Sequence, residues 1–214
     1  GLSMAIDQGI FPSPRFYHCG KLISQTGGHG DFRKLGNRYG EHESCVSCGC
    51  GYSGHLSVTV DGVDEVRRAV RNNLRNGASF IKFAASGGVS STTSPLDAIQ
   101  FSDEEVRAIV DEVERFGTYC TAHIHPDLAI KRAIELGVHC IEHGSMMSRE
   151  TAELAASRGT SVVPTLAIVE SLRREGHSLG IAEVSRKKLG LVSEQMLESL
   201  KYMRDAGVHI GFGT

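Results

Sequence analysis

From about residue 61 onward the chain repeats one pattern: apolar residues at helical spacing, a glycine, then a short apolar run. In 61–76, Val63, Val66, Ala69, Val70 and Leu74 recur three and four residues apart, which places them on one face of a helix. Gly77 stands where a helix stop belongs, and 80–84 (FIKFA) predicts a strand. Ser102 with Glu105 three residues on is a capping-box signature, predicting a helix to about 116 that Gly117 ends. The same logic predicts strands over 119–124, 139–142 and 160–164, with helices over 127–136 and 148–157 between them. A long helix or helix pair follows over 181–206, and a last strand over 208–213. Upstream, 15–23 (RFYHCGKLI) predicts a strand, and the polar, Gly-rich stretch 24–57 is long enough to be a functional loop.

Strand, helix, glycine, strand, repeated, predicts an α/β fold of parallel βα units. An open doubly wound sheet and a closed (β/α)8 barrel compete. No dinucleotide glycine fingerprint follows the first strand, which weighs against the open sheet. The six strands expected from 214 residues fall short of the eight, in about 250 residues, that a complete barrel uses. The expectation is therefore a TIM barrel incomplete at both ends.

Composition adds little until the histidines. With 40% hydrophobic and 22% charged residues, the chain reads as one ordinary globular domain. No apolar run approaches the roughly 20 residues of a membrane span, and no secretory signal is seen. A formal net charge of −2 offers no nucleic-acid surface. The expected setting is cytoplasmic, with a small-molecule partner, neither nucleic acid nor membrane, and a homo-oligomeric state. Ten histidines, several in short apolar segments, change the picture. So do six cysteines. Cys19, Cys120 and Cys140 lie in predicted strands, where a free thiol packs as a small hydrophobe. Cys45, Cys48 and Cys50 could form a zinc-binding module with His42 or His55. Such a site wants four ligands in two separated pairs, so a Gly-rich surface loop is the favoured reading.

Lys82 shares a strand face with Phe80 and Ala84. Both faces of a barrel strand are buried, so a lysine there is paired, chemically altered, or near enough to the end to reach solvent. Thr121, His123 and His125 share a face of the next strand, and His143 ends the one after, just before Gly144. Alone, each histidine reads as an ordinary hydrogen-bonded residue. One lysine and two histidines at equivalent ends of three consecutive strands read as a cation site, because those ends converge where a parallel barrel builds its active site. Neutral imidazole suits zinc and similar ions. A lysine amine can add carbon dioxide, giving a carbamate that bridges two metals.

The ordered set 81–88 (IKFAASGG), 121–125 (TAHIH), 141–144 (IEHG), 163–166 (VPTL) and 211–214 (GFGT), with 26–30 (TGGHG) upstream, resembles the amidohydrolase superfamily. The branch it resembles is the imidazolonepropionase-related, prolidase-like one of peptidase family M38. No single piece is specific, but the order and spacing are, and they cover nearly the whole chain. The resemblance implies that 1–214 spans about strands three to eight of a metal-dependent hydrolase barrel. Lys82 would be the carboxylated bridging lysine, and His123 and His143 would bind the second metal. One or two divalent ions, with zinc expected, would be held per intact chain. His29 would face the substrate and polarise its carbonyl, while Ser86, Gly87 and Gly88 would shape the mouth. His125 is the second histidine of its motif, and the first is normally the ligand. The family's strand-one His-x-His pair is absent, and its strand-eight general-base Asp would fall just after Thr214, so this piece alone is expected to be inactive. The implied reaction is hydrolysis of an amide-type C–N bond by a metal-activated water, with the Asp moving the proton. Dipeptides, acyl amino acids, cyclic amides, ureas and carbamates all qualify as substrates. Loops 36–56 and 170–188 would choose among them. The alternatives are a non-catalytic binding protein on the same barrel, or the Cys45, Cys48 and Cys50 zinc module.

Overall fold

The structure, a computed structural model, describes residues 2–33 and 56–214. Cys45, Cys48 and Cys50, with His42 and His55, lie outside the described residues, as does nearly all of loop 36–56. In chain order the elements are α1 (Leu2–Asp7), β1 (Leu22–Ser24), β2 (Ser57–Thr59), α2 (Val63–Arg75), β3 (Ile81–Ala84), α3 (Asp103–Arg115) and β4 (Cys120–Pro126). Then come α4 (Asp127–Glu135), β5 (Cys140–Met146), α5 (Arg149–Arg158), β6 (Ser161–Val163), α6 (Leu166–Glu175) and α7 (Glu183–Asp205). The strands form one six-stranded sheet in the order β2-β1-β3-β4-β5-β6, with every pair parallel. No helix among the described residues is long and apolar enough to cross a membrane.

The helices form where local signals asked for them. Ser102 accepts from the Glu105 amide at 3.3 Å, and Glu105 accepts from the Ser102 amide at 2.6 Å, completing the capping box of α3. Ser148 caps α5 by accepting from Thr151 at 3.2 Å, and Gly159 closes that helix with a left-handed φ of 69°. Val66 and Val70 of α2, Ile109 and Val113 of α3, and Ile130 and Ile134 of α4 bury one sheet face. They meet Ile81, Phe83, Ala122, Ile124, Ile141 and Val162 in a single core. Glu112 of α3, only 3% exposed, ties α3 to α2 by accepting from Arg67 at 2.7 Å and from Arg71 at 2.6 and 2.8 Å. A second, smaller cluster of Leu96, Val169, Leu189, Val192 and Met196 joins segment 86–100 to α6 and α7.

Five elements depart from the sequence reading. α1 forms over a stretch for which no element is expected, and none of its residues is buried. The strand expected over 15–23 pairs only from Leu22, because the backbone of Lys21 is bonded to the Asn73 side chain at 3.2 and 2.8 Å instead of to a neighbouring strand. β2 lies at the end of what read as loop, a three-residue strand too short for alternation to show. α6 falls outside the expected elements although Leu166, Val169 and Leu172 recur three residues apart and pack together on the second cluster; only Val169 is fully buried. The last strand, expected over 208–213, is a single parallel bridge of Ile210 to Val162, with flanking hydrogen bonds of 2.9 and 2.8 Å.

Candidate metal centre

Parallel register decides which side chains share a face. Lys82 pairs with Thr121 and Thr121 with Cys140; Ala84 pairs with His123 and His123 with Glu142. These residues occupy the face away from the helices, while Phe83, Ala122 and Ile141 point into the core. Simple alternation would send His143 to the core side with Ile141 and its partner Ile124. The backbone prevents this: His143 has φ of 74°, Gly144 has φ of 56°, and the β4–β5 register breaks between Ile124 and Pro126. A non-glycine residue in this region is strained, and such strain collects at functional sites.

The result is a histidine cluster. The ligating atoms of His123, His125 and His143 lie within 4.8 Å of one another. The His125 and His143 rings stack at 4.9 Å, and His123 stands nearly perpendicular to both, at 4.9 and 4.6 Å. His29, from the turn after β1, stacks on His123 at 3.9 Å with 8° between planes. Partners set each ring. His143 Nδ1 is 2.6 Å from Thr165 Oγ1, His125 Nδ1 is 3.3 Å from Ser145 Oγ, and His123 Nε2 is 3.3 Å from the Gly87 carbonyl. His29 donates its amide to Gln100 Oε1 at 3.0 Å, but its ring Nδ1 is buried with no partner among the described residues.

Burial is the leading cause that lowers every imidazole in this cluster. His29 falls to about 4, with the charges of Lys188 and Lys82 adding to the effect, and His125 falls to about 3, with His29 adding. His123 and His143 lie well below the ordinary range, pushed further by the neighbouring histidines and by Lys82. At neutral pH all four rings are uncharged, the state in which imidazole binds metal. Metal–nitrogen bonds of 2.0–2.1 Å put tetrahedral donors about 3.4 Å apart, so small ring rotations would close the cluster around an ion. The donor set fits a divalent cation.

Lys82 is half-buried on the same face, makes no hydrogen bond or ion pair among the described residues, and acts electrostatically on His29, His123 and His143. The Ser86 hydroxyl is fully buried. It donates to the Gly87 carbonyl at 2.8 Å and accepts from the His125 amide at 3.2 Å. A Cβ at Gly87 would stand 1.6 Å from the Pro95 carbonyl oxygen. One at Gly88 would stand 2.2 Å from His29 and 2.6 Å from His123 Nε2. Both glycines are thus required by close approach.

Four residues at the site were given no role from the sequence. His125 was set aside as the second histidine of its motif, and Thr165 stood only as one letter of the 163–166 motif. Gln100 and Lys188 carried no signal, because their partners are far along the chain. Gln100 links the His29 turn to Ser94, donating to its hydroxyl at 2.8 Å. Lys188, buried on α7, donates to the carbonyls of Gly88, Ser91 and Ser94 at 3.2, 2.7 and 2.5 Å and so pins segment 88–94 beside the cluster. Next to it a mostly apolar cleft of about 480 Å³ runs between residues 92–97, Pro126, Met146 and the α7 side chains Val184 and Leu191.

The chain is similar to known proteins over its whole length. The profile of the amidohydrolase family matches residues 1–214. An ochratoxinase of Aspergillus niger is 36% identical over 216 residues, covering 100% of this chain and 45% of the relative. A solved prolidase in complex with N-methylphosphonate-L-proline superposes with a TM-score of 0.90 at 43% identity, covering 100% of this chain and 51% of its own. A Xaa-Pro dipeptidase with bound methionine superposes at 0.85 with 33% identity, covering 100% and 50%. The chain spans about half the length of these relatives.

Proposed function

The chain belongs to the amidohydrolase family, its parallel strands being those of the family's (β/α)8 barrel, and from that premise we propose that the protein is a metal-dependent hydrolase of amide-type C–N bonds. The observation that carries the proposal is the cluster of His123, His125 and His143 at the ends of adjacent parallel strands, with donor atoms within 4.8 Å. Zinc is the ion that neutral imidazoles in such a set suit best. A bound divalent ion supplies an acidified water and polarises a carbonyl.

In this reading Lys82, His123 and His143 hold the metal centre. The amine of Lys82, which makes no hydrogen bond or ion pair among the described residues, is open to carbon dioxide, and as a carbamate it would add a second negative charge to a face that carries Glu142 beside the neutral histidine rings. His29, with its unpartnered Nδ1, is placed to hydrogen-bond the substrate carbonyl. Gly87 and Gly88 keep the mouth open, and Ser86 fixes that turn to β4. The names of the relatives make dipeptides ending in proline the first substrates to try, with other amide-linked amino acids next.

The test is metal analysis and turnover of the full-length protein beside Lys82→Ala and His143→Ala. We expect one or two divalent ions per wild-type chain, loss of metal and turnover in both variants, and partial recovery of Lys82→Ala by short carboxylic acids. Wild-type metal content and turnover in Lys82→Ala would remove the bridging role. A metal-free, inactive wild type across the dipeptide panel would remove the hydrolase reading itself.

A further inference from the structure

Thr165 occupies the N-cap position of α6, where a threonine hydroxyl ordinarily accepts a hydrogen bond from an amide of the first helical turn. It makes no such bond. Its backbone is left-handed, with φ of 50° and ψ of 44°, an unfavourable region for a β-branched residue. Its side chain is buried, at 6% exposure, and its hydroxyl lies 2.6 Å from Nδ1 of His143. His143 is left-handed too, with φ of 74°. Only three non-glycine residues among those described have positive φ, and two of them share this hydrogen bond. A helix without its cap and two strained backbones converge on one imidazole. Strain of this kind persists only where surrounding structure over-determines it.

We propose that Thr165 is a positioning residue: its hydroxyl accepts the Nδ1–H of His143, which fixes the ring's tautomer and turns Nε2 toward His123 and His125. This rests on the metal-centre reading above. The 2.6 Å bond is shorter than the 3.3 Å bond that sets His125, so His143 is the more firmly oriented of the two. A histidine that binds metal through one nitrogen is oriented by the partner of the other, and loss of that partner weakens metal binding about tenfold to a hundredfold.

The test compares zinc affinity, by competition with a chromophoric chelator, in full-length wild type, Thr165→Val and Thr165→Ser, with the thermal midpoint of each metal-free protein measured alongside. Valine keeps the shape and the β-branch but lacks the hydroxyl, and should weaken zinc about tenfold to a hundredfold. Serine keeps the hydroxyl and should restore affinity close to wild type. A purely structural role would move the midpoint and leave affinity unchanged, so wild-type affinity in the valine variant overturns the inference, as does failure of serine to restore it. A wild type that takes up no zinc overturns the metal-centre reading and this inference together. Nitrogen-15 NMR of the metal-free wild type needs no variant. It should find the proton of His143 on Nδ1, and a proton on Nε2 overturns the proposal even if the valine variant does not fold.

Discussion

Adding one methyl group at residue 88 tests how tightly the site is built. In Gly88→Ala the new carbon would lie 2.2 Å from Cε1 and 2.3 Å from Nδ1 of His29, and 2.6 Å from Nε2 of His123. Carbon contacts become favourable only near 3.5–4.0 Å, so something must retreat by about 1.3 Å. The chain at residue 88 cannot do so freely, since its carbonyl accepts from Lys188 and the neighbouring Gly87 already abuts the Pro95 carbonyl. His123 is buried and belongs to a strand paired on both sides. His29 must therefore leave its 3.9 Å stack, and His123 must tilt. Overpacking of this kind costs about 1–3 kcal/mol, or roughly 2–4 °C of thermal midpoint for each kcal/mol in a protein of this size. A misplacement of about 1 Å at reacting groups lowers turnover on the order of a hundredfold. Gly190→Ala is the control, because its new carbon meets nothing within 4 Å in the interior of α7. Relief of helical glycine there should raise stability by up to about 1 kcal/mol with zinc binding unchanged. The assays are thermal denaturation of the metal-free protein and zinc competition. A Gly88→Ala variant with wild-type midpoint and wild-type zinc affinity would refute the close-packed cradle.

Glu112→Gln should destabilise by about 1–3 kcal/mol in urea titrations without touching zinc affinity, since it removes the buried charge that Arg67 and Arg71 share. The two Arg71 hydrogen bonds, with the one from Arg67, hold the Glu112 carboxyl below its ordinary 4.5, so this stabilisation is present above that pH and disappears on acidification through the lowered value. The glutamine variant should lack that part of the acid sensitivity, and an unchanged urea midpoint would show the clamp to be idle. The histidines act in the same direction at higher pH. Unfolded imidazoles take up protons as pH falls through 6.5, whereas His29 resists to about 4 and His125 to about 3. Stability of the metal-free protein should therefore be level above about pH 7.5 and decline from pH 6.5 downward. Urea midpoints that stay flat from pH 7 to 5 would contradict a buried, neutral cluster.

Much of the fold was legible because its signals are local. Each of α2 to α4 carries its own apolar stripe, and α3 and α5 carry their own caps, so strand and helix alternate in the sequence as they do in space. The pairing of His123 with His125 on one face follows from alternation alone. Alternation fails at His143, whose direction is set by a left-handed backbone that residue type does not announce, apart from the adjacent glycine. The roles of Thr165, Gln100 and Lys188 were hidden for another reason: they act on partners 22, 71 and 100 residues away, and no window of sequence holds both ends of such a bond, although Thr165 itself lies in the 163–166 motif.

Two cores divide the labour of holding this site. The larger one, beneath the sheet, fixes β3, β4 and β5, and hence the positions of Lys82, His123 and His125. The smaller one holds segment 86–100 against α6 and α7, and what it presents to the histidines is a small set of contacts: Gly88 against His29 and His123, and Thr165 on His143. The cleft of about 480 Å³ also opens along this second core, with Leu96 and Met146 belonging to both. A parallel sheet gives ligands that repeat from strand to strand. A packed but separate rim can change its shape, and the molecules it admits, while the sheet that carries His123 and His125 stays as it is. His143 is where the two meet, since its strand belongs to the first core and its hydrogen-bond partner heads a helix of the second.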